Sequence, residues 1–206
     1  GTPARRNRRR RHHGGLTADN KLVWIDTDEP KSPSRMGPRL ADPAGVRMIH
    51  VETAAEMLAA CEDTLPVDVA VCAAAVSDWR AAEMADHKIK KRADDAPPTI
   101  TLSENPDILA TLSRRNDRRP RLVVGFAAET NRLIENASEK RQRKGCDWII
   151  ANDVSPGTGT FGGEANTVLL ISDAGIEEWP RMPKDKVAER LAERIAATLT
   201  SEQAVC

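Results

Sequence analysis

Two nearly unbroken apolar runs constrain this chain more than any other feature: residues 67–76, VDVAVCAAAV, and residues 121–128, RLVVGFAA. A strand exposed on one face alternates apolar and polar residues, whereas a parallel strand covered by helices on both faces reads as a continuous apolar run. Such runs need helices between them, and the sequence supplies these. Thr53-Ala54-Ala55-Glu56 is a capping box, after which Ala54, Met57, Leu58, Cys61 and Leu65 recur at helical spacing until Pro66. Asn105-Pro106 reads as the N-cap and first residue of a shorter helix carrying Ile108, Leu109 and Leu112. The pattern predicts a helix over 130–144, stopped by Gly145, and another over 184–199 that buries Val187, Leu191, Ile195 and Leu199. Further strands are expected at 46–51 and 147–151, with a half-buried strand at 99–103, where Thr and Ser alternate with Ile100 and Leu102. A hairpin is expected at 167–172 and 176–179. The alternation predicts an α/β domain with a mostly parallel sheet flanked by helices.

Charge divides the chain. The 31 Lys+Arg and 31 Asp+Glu cancel overall, but residues 1–41 hold ten basic and four acidic residues, leaving 21 and 27 for the rest. Six of the first eleven residues are Arg, and apart from Leu22-Val23-Trp24-Ile25 the segment 1–36 shows no helical or strand periodicity. It reads as a basic, disordered or non-native segment ahead of a domain over 37–206. The Arg cluster has no interleaved aromatics, and the domain has excess acid, so nucleic-acid binding is not expected. No apolar run is long enough to span a bilayer, and none resembles a signal peptide, which points to a cytoplasmic protein without membrane attachment. Cys61, Cys72, Cys146 and Cys206 have neither C-x-x-C pairing nor metal-ligand spacing and read as buried free thiols.

Ligands of open α/β sheets bind outside the carboxyl ends of the strands. Asp78, Phe126 and Asn152-Asp153 follow or end three such strands, and Ala73, Ala74 and Ala75 leave room for a flat group. In the helix over 130–144, Leu133 and Ala137 begin an apolar stripe that continues with Lys140 and Lys144. Two readings are open for these lysines: ligands for a bound phosphate, or side chains that snorkel out at the helix C-terminus. Lys88-Ile89-Lys90-Lys91 is a second basic cluster, either edge protection of a strand or part of an anion site with Lys140 and Lys144.

The segments AAAVSDWR (73–80), KIKK (88–91), NPDIL (105–109), VGFAAET (124–130) and ANDV (151–154) occur in the order and spacing of the phosphopantothenate-cysteine ligase family, which this chain resembles from about residue 37 to 199. The resemblance implies a Rossmann-like fold and CTP-dependent joining of 4′-phosphopantothenate to L-cysteine through an acyl-cytidylate. It implies Mg²⁺ and a homodimer whose arm contains residues 88–91 and 99–102. It also implies nucleotide binding by Ala73, Ala74, Asp78, Lys88, Pro106, Asp107, Ile108, Leu109, Phe126, Lys140 and Lys144, with Lys88 catalytic at the reacting phosphates; no metal ligand is assigned.

Residues 1–36 do not reproduce the family's opening strand, turn and Asn-x-Ser-Ser-Gly loop. The first βα unit is therefore read as missing or replaced by unrelated or out-of-frame sequence. A flavin-dependent decarboxylase half is likewise not seen, so no FMN is expected. The alternative is an impaired nucleotide-binding module of the same fold. A nicotinamide-dependent enzyme is disfavoured because no G-x-G-x-x-G turn follows a strand.

Overall fold

The computed structural model describes residues 22–27, 44–83, 99–155 and 165–203. Strand β1 (Leu22–Thr27) pairs in parallel with β2 (Val46–Val51), and helix α1 (Ala54–Thr64) follows. The main sheet contains β3 (Val69–Cys72), β6 (Leu122–Glu129), β7 (Trp148–Asp153), β8 (Ala165–Ser172) and β9 (Gly175–Pro183), in the order β3-β6-β7-β8-β9. Its first three strands are parallel and the last two antiparallel. A separate antiparallel ribbon joins β4 (Trp79–Ala81) to β5 (Leu102–Glu104). Helices α2 (Ile108–Ser113), α3 (Leu133–Lys144) and α4 (Lys184–Gln203) complete the described fold.

Period-two alternation divides the main sheet into two apolar faces. Leu122, Val124, Trp148 and Ile150 point one way and meet Trp179 and Leu191, with Val187 and Ile195 of α4 packed against them. Val123, Ala127, Ile149 and Ala151 point the other way and meet Ala137 of α3. Arg190 and Arg194 of α4 lie over the rings of Trp179 and Trp148, at 5.0 and 5.7 Å from the centroids, and both bond Glu177. The guanidinium groups thus cover indole faces while their charge is matched at the rim.

The capping box of α1 forms as expected: Glu56 N–H donates to Thr53 Oγ1 at 3.1 Å, and Thr53 N–H donates to Glu56 Oε2 at 3.0 Å. The backbone N–H groups of Glu52 and Thr53, both donating to Glu56 Oε2, hold the Glu56 carboxyl below the usual range. Gly145 ends α3 in the left-handed region at φ 74°, its N–H bonded to Arg141 O.

Four expectations change. The strand expected at 67–76, covered on both faces, is the four-residue β3, and Val71 is 46% exposed. β3 has a ladder only to β6, so no strand among the described residues covers its outer edge. The strand expected at 99–103 is β5, which begins at Leu102; Ile100 and Leu102 are exposed, because no element among the described residues packs over them. Helix α2 is capped by Asp107, whose Oδ1 accepts from Ala110 N–H at 3.0 Å. Asn105 is committed elsewhere: its amide Nδ2 donates to Ser77 O, its Oδ1 accepts from Arg80, and its N–H donates to Asp78 O. Finally, Leu22–Thr27 lies within the segment read as unstructured, yet forms β1 because its apolar run finds a parallel partner in β2.

Candidate functional site

The parallel strands β3, β6 and β7 share one carboxyl end, and a cleft of about 320 Å³ is lined by Asp78, Glu129, Asn136, Glu139, Lys140, Arg143 and Lys144. Glu129 is the last residue of β6, and Asp78 lies in the loop after β3, with its carbonyl fixed by Asn105 N–H at 2.8 Å. The other five lining residues lie on α3 at spacings of one helical face, beside the stripe on which Ala137 is fully buried. Asn136 Nδ2 donates to Glu129 Oε2 at 3.2 Å and to Asn131 O at 3.1 Å, tying the strand end to the helix start.

The two stripe lysines differ. Lys144 Nζ donates to Asp107 Oδ2, and its side chain is only 13% exposed. Lys140 is half-buried and has no carboxylate at ion-pair distance among the described residues. Burial pushes the Asp107 carboxyl up, but hydrogen bonds from Lys144 and Ala110 N–H and the charges of Lys144 and Arg143 outweigh it, holding the group below the usual carboxylate range. Asp153, at the end of β7, is held down by hydrogen bonds from Ser155. Such a mixture of fixed cations and acceptors at strand ends can orient a polyanionic ligand.

Of the residues expected from the sequence, the structure brings Asp78, Lys140 and Lys144 to this cleft, with Asp107 touching Lys144. Ala73 and Ala74 are exposed in the loop after β3. Ile108 is buried in the cluster under α1, and Leu109 packs against β6 and β7, so both side chains belong to the core and Pro106 is half-buried before them. Phe126 packs on the α4 face of the sheet, opposite α3, and does not line the cleft. Lys88, with Lys90 and Lys91, lies outside the described residues.

Sequence reading missed Glu129, Asn136, Glu139 and Arg143 as cleft residues. Following the polar flank of α3 through 136, 139, 140 and 143, in addition to the apolar stripe, would have found three of them. Gly125 was quoted only as part of a motif. A Cβ there would meet Leu109 Cδ2 at 2.6 Å and Ile149 Cδ1 at 2.9 Å, so the glycine lets α2 settle directly onto β6.

Residues 36–199 match the family described as DNA/pantothenate metabolism flavoprotein C-terminal domain. The coenzyme A biosynthesis bifunctional protein CoaBC of Escherichia coli K12 is 40% identical over 158 residues, which cover 76% of this chain and 39% of that protein. The protein of the same name from Mycobacterium tuberculosis H37Rv is 38% identical over 170 residues, covering 78% of this chain and 40% of its own length. The chain thus spans about two fifths of the length of these curated relatives.

The crystal structure of a CoaBC C-terminal domain superposes with a TM-score of 0.65 at 27% identity, covering 88% of this chain and 76% of that one. A Cab2 mutant in complex with phosphopantothenate-cysteine shares the fold at a TM-score of 0.58 and 16% identity, covering 77% of this chain and 56% of its own. These similarities bear out the resemblance carried by the five ordered motifs. The chain therefore belongs to the family of the DNA/pantothenate metabolism flavoprotein C-terminal domain.

Proposed function

We propose that this chain is the phosphopantothenate-cysteine ligase portion of a cytoplasmic coenzyme A biosynthesis enzyme and uses CTP. The observation that carries the reading is the convergence of Lys140 and Lys144 on a cleft at the carboxyl ends of the parallel strands, in a chain of this family. A carboxylate oxygen of 4′-phosphopantothenate attacks the α-phosphorus of CTP and pyrophosphate leaves. The cysteine amine then attacks the acyl carbon and CMP leaves. Neither step needs a protein nucleophile; both need the phosphates positioned and their charge offset.

In this reading Lys140 and Lys144 hold the triphosphate, Asp78 and Phe126 address the nucleoside, and Lys88 meets the reacting phosphates. Mg²⁺, when bound, neutralises phosphate charge. Among the described residues no three metal-binding side chains converge, while Glu129 and Glu139 offer separate carboxylates at the cleft. That donor set suits an ion carried mainly by the triphosphate, with one of these as protein ligand. The exposed Trp79 and Leu102 of the β4–β5 ribbon, with Ile100 just before β5, supply an apolar face for a homodimer.

The test is pyrophosphate release with 4′-phosphopantothenate and either CTP or ATP, first without and then with L-cysteine. Cysteine-independent pyrophosphate formation with CTP, and an increase of about tenfold in the nucleotide KM for Lys140→Gln, are expected. Nucleotide binding without pyrophosphate release would instead identify a binding module of the same fold.

A further inference from the structure

We infer that Asp107 is a positioning residue: its carboxylate holds the Lys144 ammonium at the cleft, oriented for an anionic ligand. The inference rests on the reading of the cleft as a phosphate-binding site. Helix α2 has only six residues, and both of its ends are fastened to the last turn of α3. At its start Lys144 Nζ donates to Asp107 Oδ2, and at its end Arg114 Nη2 donates to the Arg143 carbonyl. Underneath, Leu109 sits on Gly125, so α2 cannot drift from the sheet without opening that contact.

The two oxygens of Asp107 have separate duties. Oδ1 caps α2 through Ala110 N–H at 3.0 Å, and Oδ2 accepts from Lys144. A lysine ammonium has three donors, so the bond to Asp107 leaves two for phosphate oxygens. Lys144 is 13% exposed, and its long side chain is held in one place by this bond. Lys140, one turn earlier on the same face, lacks such an anchor among the described residues. Lysine is otherwise a flexible point charge, so an anchor that orders it before the ligand arrives favours binding.

The test separates capping from positioning. Asp107→Asn preserves the cap, because Asn caps about as well as Asp, but presents Lys144 with an amide donor or a neutral oxygen. Asp107→Ser also caps and is too short to reach Lys144. Binding of inorganic tripolyphosphate and of CTP to the full chain is measured by calorimetry for both variants, for Lys144→Gln and for Asp107→Asn/Lys144→Gln, with thermal midpoints recorded alongside.

Each Asp107 variant should weaken both ligands by about tenfold, the value of one charge-assisted contact. In the Lys144→Gln background the same change should have no further effect, because a residue acting only through its partner is silent once that partner is gone. Unchanged or tighter binding in the Asp107 variants, with Lys144→Gln still weakened, overturns this inference and leaves the cleft reading intact. Additive losses also overturn it, since Asp107 would then act independently of Lys144. Unchanged binding in Lys144→Gln itself overturns both.

Discussion

The main sheet and the β1–β2 pair are built from similar apolar runs and end up in different physical states. In β6, β7 and β8, Val123, Val124, Ile149, Ile150 and Leu170 are at most 1% exposed, because α4 packs on one face of the sheet and α3 on the other. In β2 only Val51 is fully buried, and Ile25 of β1 and Ile49 are half-buried against α1 and its neighbours. The two pieces share that third cluster, which also takes in Val67, Ala70 and Cys72, but no ladder joins them among the described residues. Apolar composition lets a strand be buried, and layers packed on both faces of its sheet bring it about. A two-stranded pair gains little stability from its own ladder and depends on the helices packed on it.

Three measurements would break or sharpen this contrast. The largest effect is expected in the main sheet: Trp179→Ala should cost about 3–5 kcal/mol in urea unfolding, whereas Ile25→Ala should cost about 2 kcal/mol or less. Equal losses would show that the pair is as tightly integrated as the sheet.

At the seam between α2 and β6, Gly125→Ala should cost about 1–3 kcal/mol by pressing a methyl against Leu109 and Ile149. A neutral result would mean that those side-chain ends swing away freely.

The smallest expected effect, at neutral pH none, concerns Cys72 on the half-covered β3. Burial pushes its thiol up to about 12, with smaller contributions from Cys61, Cys146 and Asp107. The folded state therefore retains a proton that the unfolded chain loses above about pH 9, so stability falls by up to about 1.4 kcal/mol per pH unit as pH rises from there. Unfolding free energies measured from pH 7 to 10.5 should show this excess slope in the native chain relative to Cys72→Ala. Identical slopes would place Cys72 in contact with solvent.

Much of this architecture was legible in the residues. The capping box at Thr53, the Gly145 stop and the Asp173-Ala174-Gly175 turn are local devices whose partners lie within four residues, so the chain carries their geometry with it. The Leu133, Ala137, Lys140, Lys144 stripe likewise foretold a helix whose buried face gives way to charge. The N-cap at Asp107 was not legible: Asn105 is an equally good cap by type, and what removes it is bonding to Ser77 and Arg80, some 25 or more residues away. The exposure of Val71, Ile100 and Leu102 was not legible either, since it depends on what packs over the face to which each side chain points.

By itself, then, the sequence determined the element types, the α/β class, the family and the residues available for the cleft, because periodicity, caps and motif spacing are properties of short stretches. Tertiary structure alone decided that α2 lies across the last turn of α3 and that Lys144 is anchored by Asp107 while Lys140, among the described residues, is not. It also decided that Phe126 faces α4 and that β3, among the described residues, stands at an edge of the main sheet. These outcomes depend on contacts between residues far apart in the chain, where close packing and the pairing of charges choose among arrangements that local patterns leave equally open.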